Sequence, residues 1–229
     1  MPDFPLFAKK LSLSFNDINL LVEALTHRSY LNEHREYAGN HNERLEFLGD
    51  AVLELAVTDF LYKKFPATSE GELTSYRAAL VNTVSLAAAS QALDIDEFLL
   101  LSRGEARDMG RAREVIRADA FEAIIGAIYL DLGYVHAEEF IAKHLYKKID
   151  EVIAKRSYQD SKSRFQEVIQ EKKGITPMYM TLSEIGPDHS KRFTVGVFVG
   201  EEEIARGEGQ SKQEAEQSAA QAALDKTGL

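Results

Sequence analysis

Residues 42–52 read NERLEFLGDAV, and this stretch decides the helical character of the first two thirds of the chain. Its aliphatic residues recur with the 3 and 4 spacing of a core-facing helix, which predicts a helix over about residues 43–63. Three acids, Glu43, Glu46 and Asp50, have the same spacing, so they lie within about 60° of one another on that helix. Like charges on a part-buried face repel one another, and between its first and last turns the helix contains no Lys or Arg to offset them.

A second acidic pair lies in ADAFEAIIGAIYL, residues 118–130, which is otherwise apolar on nearly every side. Asp119 and Glu122 share a helix face there, and an unpaired ion in such surroundings is costly, so each acid points outward, titrates or binds a cation. If the two acidic faces meet, four carboxylates converge into the oxygen-only ligand set that Mg²⁺ prefers. The alternative is that both clusters are solvated helix faces, but such faces usually mix Lys with Glu, and these acid stripes exclude Lys.

The remaining sequence separates into a helical part and a mixed part. The further helices predicted in the first part begin at Asn16 and Ser69 and cover residues 114–132 and 136–155. The elements predicted in the second part are a helix over 161–172, strands over 178–184, 193–199 and 203–207, and an alanine-rich helix after Ser211. Close packing on a small sheet explains those alanines better than an oligomerisation face. We therefore expect a multidomain chain with an all-α domain over residues 1–156, a linker over 157–161 and a small α+β domain of order α-β-β-β-α over 162–229.

Composition limits the possible functions. The chain has 229 residues, of which 45% are hydrophobic and 28% charged, as in ordinary globular proteins. No apolar run approaches the roughly 20 residues that span a bilayer, and the N-terminus lacks a secretory signal, so we expect a cytoplasmic protein without a membrane segment. The lack of cysteine excludes disulfides, thiol nucleophiles and thiolate metal sites. The net charge of -10 argues against nucleic-acid binding through a bulk positive field, so local features or bound cations must supply any such attraction.

Several of these stretches are recognisable. HNERLEFLGDAVL at 41–53 closely resembles the signature of the ribonuclease III family, and LTHRSY at 25–30 and ADAFEAIIGAIYLD from residue 118 resemble its other nuclease blocks. DSKSRFQEVIQEK, GPDHSKRFTV and ARGEGQSKQEAEQSAAQAAL are similar, in order and spacing, to a double-stranded RNA-binding domain. The resemblance covers nearly the whole chain and predicts a helical nuclease domain followed by that RNA-binding domain.

This resemblance implies Mg²⁺-dependent hydrolysis of double-stranded RNA by a homodimer that forms through the nuclease domain, with Mn²⁺ able to replace Mg²⁺. The products would be 5'-phosphate and 3'-hydroxyl ends with short 3' overhangs, and the substrates would include precursors of ribosomal RNA. Water activated by the metal attacks the phosphate, so no covalent protein nucleophile is needed. By position, the implied metal-binding acids are Glu46, Asp50, Asp119 and Glu122. Asp50 and Glu122 match the catalytic pair, Glu43 and Glu70 match a secondary acidic valley, and Phe47 matches an aromatic that seats in the partner subunit.

For the second domain, the resemblance implies shape-based recognition of duplex RNA across two minor grooves. The residues implied to contact 2'-hydroxyls, bases and phosphates are Ser163, Gln166, Glu167, Gly186, Pro187, His189, Ser211, Lys212 and Gln213. The chain departs from the family at Gln213 and Glu214, where basic residues are usual, and at Arg117, where leucine is common. From residue 157 onward 9 Lys and Arg face 12 Asp and Glu, a net charge of -3, so we expect weaker and more salt-sensitive RNA contact than in more basic relatives. That contact is expected to depend on Lys172, Lys173, Lys191 and Arg192.

Two other functions are possible. A non-catalytic dimeric protein that binds double-stranded RNA could have kept the helical domain for dimerisation alone. A degenerate nuclease of that kind should have lost some of its acids, and all six are present, which favours the enzyme. A metal-dependent phosphohydrolase acting on small molecules would share the carboxylates, but the second domain would then have no purpose.

Overall fold

The computed structural model describes residues 2–107, 110–154, 161–187 and 191–228. Contacts within the chain divide it into two compact units, Met1–Tyr158 and Gln159–Leu229, each with its own hydrophobic core. Among the described residues, no helix has both the length and the apolar character needed to cross a membrane.

The first unit is helical throughout. Its helices are α1 (Phe4–Leu11), α2 (Ile18–Ala24), α3 (Arg28–Glu33), α4 (Glu43–Lys64), α5 (Glu70–Val81), α6 (Thr83–Ala92), α7 (Arg111–Leu132), α8 (Tyr134–His144) and α9 (Ile149–Ala154). Short 3₁₀ turns lie at Ile95–Glu97, Glu105–Arg107 and Tyr146–Lys148. This confirms the predicted all-α nuclease fold, although α1, α3 and α6 were not predicted individually.

Helix α7 is the central element of this unit. Between Ala118 and Ile128 it buries nearly every side chain it carries, and Phe121, Ile124 and Ile128 are fully inaccessible to solvent. Helix α4 packs along it and contributes Leu53 and other fully buried residues to the same core. Because both helices are buried on this shared side, their acidic residues have little freedom to move away from each other.

Two predicted helix starts have different outcomes. Ser69 caps α5 as predicted, because its hydroxyl accepts the main-chain N–H of Glu72 at 3.3 Å. The predicted N-cap at Asn16 is wrong, since Asp17 caps α2 instead. The carboxylate of Asp131, at the end of α7, accepts the main-chain N–H groups of Asn16 and Asp17 at 2.6 and 3.1 Å. This tertiary contact fixes the entry of α2 one residue later than the sequence pattern indicates.

The predicted single helix over 136–155 is also wrong. Helix α8 ends at His144 and α9 begins at Ile149, with a 3₁₀ turn between them. In that turn Tyr146 donates its hydroxyl to the main-chain oxygen of Ala56 at 2.9 Å and stacks on Phe60 with ring centroids 3.8 Å apart. These contacts with α4 hold the chain in the tighter turn. The apolar pattern continues through the break because both helices face the same core.

The second unit has the predicted α-β-β-β-α order. Its elements are α10 (Ser161–Lys173), β1 (Met178–Ile185), β2 (Arg192–Val199), β3 (Glu202–Gly209) and α11 (Lys212–Thr227). The three strands form one antiparallel sheet in the order β1-β2-β3. The alanines of α11 are buried against this sheet, which confirms their predicted packing role. A Cβ on Gly207 would overlap the main chain of Ala219, so the glycine permits this close approach.

Candidate active site

The acidic site forms where α4 crosses α7. At the crossing, a Cβ on Gly49 would overlap the main-chain carbonyl oxygen of Glu122, and a Cβ on Gly126 would overlap that of Leu45. The two helices therefore touch backbone to backbone, which only glycine permits. Helix residues one turn from the crossing are consequently held close to the opposing helix, and the acids occupy those positions.

Three carboxylates meet beside this crossing. One oxygen each from Glu46 of α4 and from Asp119 and Glu122 of α7 lie within 4.8 Å of one another. All three side chains are partly buried. Among the residues that the structure describes, no Lys, Arg or His forms an ion pair with any of them. Three of the four carboxylates that the two acid stripes predict to converge therefore meet in the fold.

The electrostatics of this triad require a compensating charge. Burial first, and then the like charges of its neighbours, raise the pKa of Glu46 to about 7 and the pKa of Glu122 to about 8. Burial, followed by the charge of Glu43, also raises the pKa of Asp119. Without a cation, at least part of the triad holds protons near neutral pH. The oxygen-only donor set and this excess of negative charge fit a hard divalent cation.

Asp50 lies at the edge of the triad rather than inside it. Its side chain is exposed one helical turn after Glu46, and it is not among the three residues that meet within 4.8 Å. Its charge is nevertheless the largest contribution after burial to the raised pKa of Glu122. Asp50 therefore acts electrostatically on the site from its solvent side.

The two acids assigned to a secondary valley lie in different surroundings. The carboxylate of Glu43, at the start of α4, accepts a hydrogen bond from the guanidinium of Arg28 at 3.2 Å, and its charge raises the pKa of Asp119. Glu70, at the start of α5, is exposed and accepts the hydroxyl of Thr74 at 3.1 Å. Glu43 is thus close enough to influence the triad, whereas Glu70 lines a separate cavity of about 410 Å³ between α4 and α5.

The residues assigned to RNA contact lie on two helices and one loop of the second unit. Ser163, Gln166 and Glu167 are exposed on α10, and Gly186 and Pro187 are exposed after β1. His189 lies outside the described residues. Ser211 is the N-cap of α11, and Lys212 and Gln213 are its exposed first residues.

Two of the cations expected to support RNA contact already form ion pairs, and a carboxylate lies at the start of α11. Lys191 pairs with Glu184 at 2.7 Å, and Arg192 pairs with Glu208 at 3.5 Å. At the start of α11, the carboxylate of Glu214 accepts the main-chain N–H of Gln210 at 2.7 Å. These ion pairs reduce the positive charge that the surface can offer to RNA, in line with the weak RNA contact expected from the sequence.

Sequence reasoning missed two features of the site. The glycine pair was overlooked, although a glycine in the middle of a 22-residue helix is the signal of a close helix crossing. The second is Arg77 of α5, whose Nε lies 2.9 Å from the carboxylate of Glu54 on α4. The charge of Glu54 contributes to the raised pKa of Glu122, so Arg77 offsets a charge next to the site. No motif in the sequence identifies this pair.

Fold and site together define a helical nuclease with a carboxylate metal site, joined to an α-β-β-β-α RNA-binding module. Residues 17–149 match the family model described as ribonuclease-III-like, and residues 161–227 match the double-stranded RNA binding motif. The chain belongs to the ribonuclease III family. It is a double-strand-specific endoribonuclease of the divalent-metal-dependent type.

Similar proteins support this membership over almost the full length. The chain is 46% identical over 225 residues to Ribonuclease 3 of Protochlamydia amoebophila, which covers 98% of this chain and 92% of that protein. It is 48% identical over 219 residues to Ribonuclease 3 of a Geobacillus species, which covers 95% and 88%. A solved nuclease domain of ribonuclease III from Campylobacter jejuni, described as flexible in a region involved in dimer formation, is 41% identical with a TM-score of 0.55, and the match covers 62% of this chain and 98% of that one.

Proposed function

We propose that the chain cleaves double-stranded RNA with Mg²⁺ held by Glu46, Asp119 and Glu122, and with Asp50 completing the site from its edge. The observation that carries this proposal is the convergence of three partly buried carboxylates from two helices, which no cation among the described residues neutralises. Mg²⁺ prefers carboxylate oxygens together with water and phosphate oxygens, and Mn²⁺ accepts the same donors.

The buried and the exposed acids of the site have different proposed roles. A divalent ion bound at this site supplies a Lewis acid that activates water and stabilises negative charge on the phosphate. Glu46 and Glu122 would hold the ion as carboxylates, because the attraction of a cation would outweigh the burial that raises each pKa. Asp50, exposed at the rim, is placed to orient the water that attacks in line. The products are 5'-phosphate and 3'-hydroxyl ends.

We assign duplex binding to the second unit. The exposed face of α10, the loop after β1 and the N-terminus of α11 offer hydroxyl, amide and ammonium groups suited to 2'-hydroxyls and phosphates. The proposed contacts are Ser163, Gln166, Glu167, Gly186, Pro187, His189, Ser211, Lys212 and Gln213. For the functional division of the chain we keep residues 1–156 as the nuclease domain, 157–161 as the linker and 162–229 as the RNA-binding domain.

We infer that the active form is a homodimer built through the nuclease domain. Phe47 is 80% exposed on α4, and Leu55 and Tyr62, 59% and 73% exposed, lie on the same side of that helix. Such an apolar stripe is costly in water, and we propose that Phe47 of the partner subunit enters the cavity between α4 and α5 that Glu70 lines. This arrangement gives Glu70 a place in an acidic valley of the dimer.

We place the enzyme in the cytoplasm, with ribosomal RNA precursors among its substrates.

Substitution of Glu122 by Gln tests the catalytic proposal. The wild-type chain is expected to cleave a long RNA duplex only when Mg²⁺ is present and to leave single-stranded RNA intact. Glu122→Gln should lower cleavage by at least about 100-fold, because one charge of the metal site is lost, while duplex binding is unchanged. The matched control is Glu139→Gln, an acid on α8 that is not part of the triad. Full activity of Glu122→Gln would remove that carboxylate from the mechanism.

A further inference from the structure

The first two turns of α7 are held differently from the rest of the helix. Beyond Ala118 the helix is fixed by apolar burial, whereas over residues 111–117 the buried residues are Arg113 and Ile116. Gly110, the N-cap, has no side chain with which to cap the helix. The segment that leads directly into Asp119 therefore depends less on apolar burial and more on polar contacts to hold its position.

The carboxylate of Asp96 provides these polar contacts. Its Oδ2 accepts hydrogen bonds from the Nε and Nη2 of Arg117 at 2.9 and 2.5 Å, and its Oδ1 lies 3.0 Å from the Nη2 of Arg113. The arginine side chains are only 13% and 8% exposed. The buried guanidinium of Arg113 and the partly buried guanidinium of Arg117 thus share a single anion. Among the residues that the structure describes, the Nε and Nη1 of Arg113 and the Oδ1 of Asp96 are buried without a hydrogen-bond partner, so Asp96 holds Arg113 as a close ion pair and holds Arg117 through hydrogen bonds.

The position of Asp96 is itself fixed by core packing on either side of it. It lies in the 3₁₀ turn Ile95–Glu97, where Ile95 is fully buried and the following Phe98 stacks on Phe7 of α1 with ring centroids 4.3 Å apart. The carboxylate therefore connects a rigid part of the core to the start of α7. Arg117, which departs from the leucine common in the family, has its partner here.

We propose that Asp96 is a positioning residue for RNA cleavage. Through Arg113 and Arg117 it fixes the first two turns of α7, and Asp119, two residues after Arg117, is thereby aimed at Glu46 and Glu122. This inference rests on the proposed function, since it assigns Asp96 to the same metal site. Loss of Asp96 leaves the buried Arg113 and the partly buried Arg117 without their shared anion, so α7 shifts at its start and the triad opens at Asp119.

The test compares full-length Asp96→Asn with the wild type over a titration of Mg²⁺. We expect kcat on an RNA duplex to fall about 10-fold or more, and half-maximal activity to require several-fold more Mg²⁺, with KM for RNA unchanged. The matched control is Asp94→Asn. Asp94 lies two residues earlier and pairs with Lys10 at 2.6 Å on the surface, without contact to either arginine, so this variant should behave like the wild type.

A second variant separates positioning from simple loss of stability. Asp96→Asn combined with Arg117→Leu removes one of the two uncompensated guanidinium groups, so this protein should melt at a higher temperature than Asp96→Asn alone. If Asp96 positions Asp119, the double variant still requires more Mg²⁺ than the wild type. The inference is overturned if a folded variant without Asp96 has wild-type kcat and Mg²⁺ requirement, or if its activity loss follows only the fraction of unfolded protein. A wild-type chain that fails to cleave duplex RNA would instead overturn the proposed function.

Discussion

The two functional regions of this molecule use charge in opposite ways. In the nuclease unit, Glu46, Asp119 and Glu122 carry one sign of charge, are partly buried and form no ion pair with a cation of the described part of the chain. In the RNA-binding unit, charges of both signs are exposed, and cations such as Lys191 already pair with neighbouring acids. The nuclease site therefore has an excess of negative charge that a bound cation would neutralise, whereas the RNA-binding surface already offsets part of its charge by its own ion pairs.

This difference explains how an acidic chain can act on a polyanion. On the proposed function, the strong attraction for phosphate is concentrated at the carboxylate triad, where a bound divalent ion would reverse the local charge. The RNA-binding unit adds contacts that are individually weak and shape-based. We therefore expect substitutions near the helix crossing to have large effects and substitutions on the RNA-binding surface to have small ones.

The largest effect is expected from Gly49→Ala. A Cβ at this position would overlap the carbonyl oxygen of Glu122, so α4 and α7 must separate. Overpacking of this kind costs about 1–3 kcal/mol of stability, and a displacement of about 1 Å between catalytic groups costs roughly 100-fold in rate. Chemical denaturation and duplex cleavage measure the two losses. The control is Gly71→Ala on α5, where a Cβ meets nothing within 4 Å and a small gain in stability is expected. Wild-type cleavage by Gly49→Ala would contradict the role of the crossing.

An intermediate effect is expected in the pH dependence of the metal-free protein. The pKa values of Glu46 and Glu122, about 7 and about 8, lie above those of the unfolded chain, so these groups favour the folded state below about pH 4.5 and lose that contribution as pH rises through 7 to 8. In EDTA the melting temperature should therefore fall between pH 5 and pH 8.5, by about 5 °C. Excess Mg²⁺ should reverse the fall, because it binds the charged form.

The Glu122→Gln variant sharpens this second prediction. Gln cannot ionise, so the variant should lose less stability than the wild type as pH rises in EDTA. Melting curves by circular dichroism at four or five pH values measure the difference. Equal pH slopes for the two proteins would show that the raised pKa of Glu122 contributes nothing to folding.

The sequence was sufficient to predict the acids but not their arrangement. Spacing of 3 and 4 in an apolar context located Glu46 and Glu122, because a helix repeats its faces regularly and buried like charges are rare. It could not show that Gly49 is the point where α4 meets α7, since that depends on which two helices pair. For the same reason the partner of Arg117 was invisible: Asp96 lies in a short turn that carries no periodic pattern.

The smallest effect is expected from Lys212→Gln in the RNA-binding unit. Among the described residues, the ammonium group of Lys212 has no carboxylate partner and lies 5.8 Å from the ring centroid of Phe193, so it is available to a phosphate at the start of α11. Loss of one phosphate contact should weaken duplex binding about fivefold at 0.15 M salt and lower the slope of log K against log salt by about one. The control is Lys9→Gln, an exposed lysine of α1 that changes net charge equally. If Lys9→Gln lowers affinity as much as Lys212→Gln, duplex binding depends on the overall charge of the chain and not on this contact. That result would contradict the binding role assigned to the start of α11.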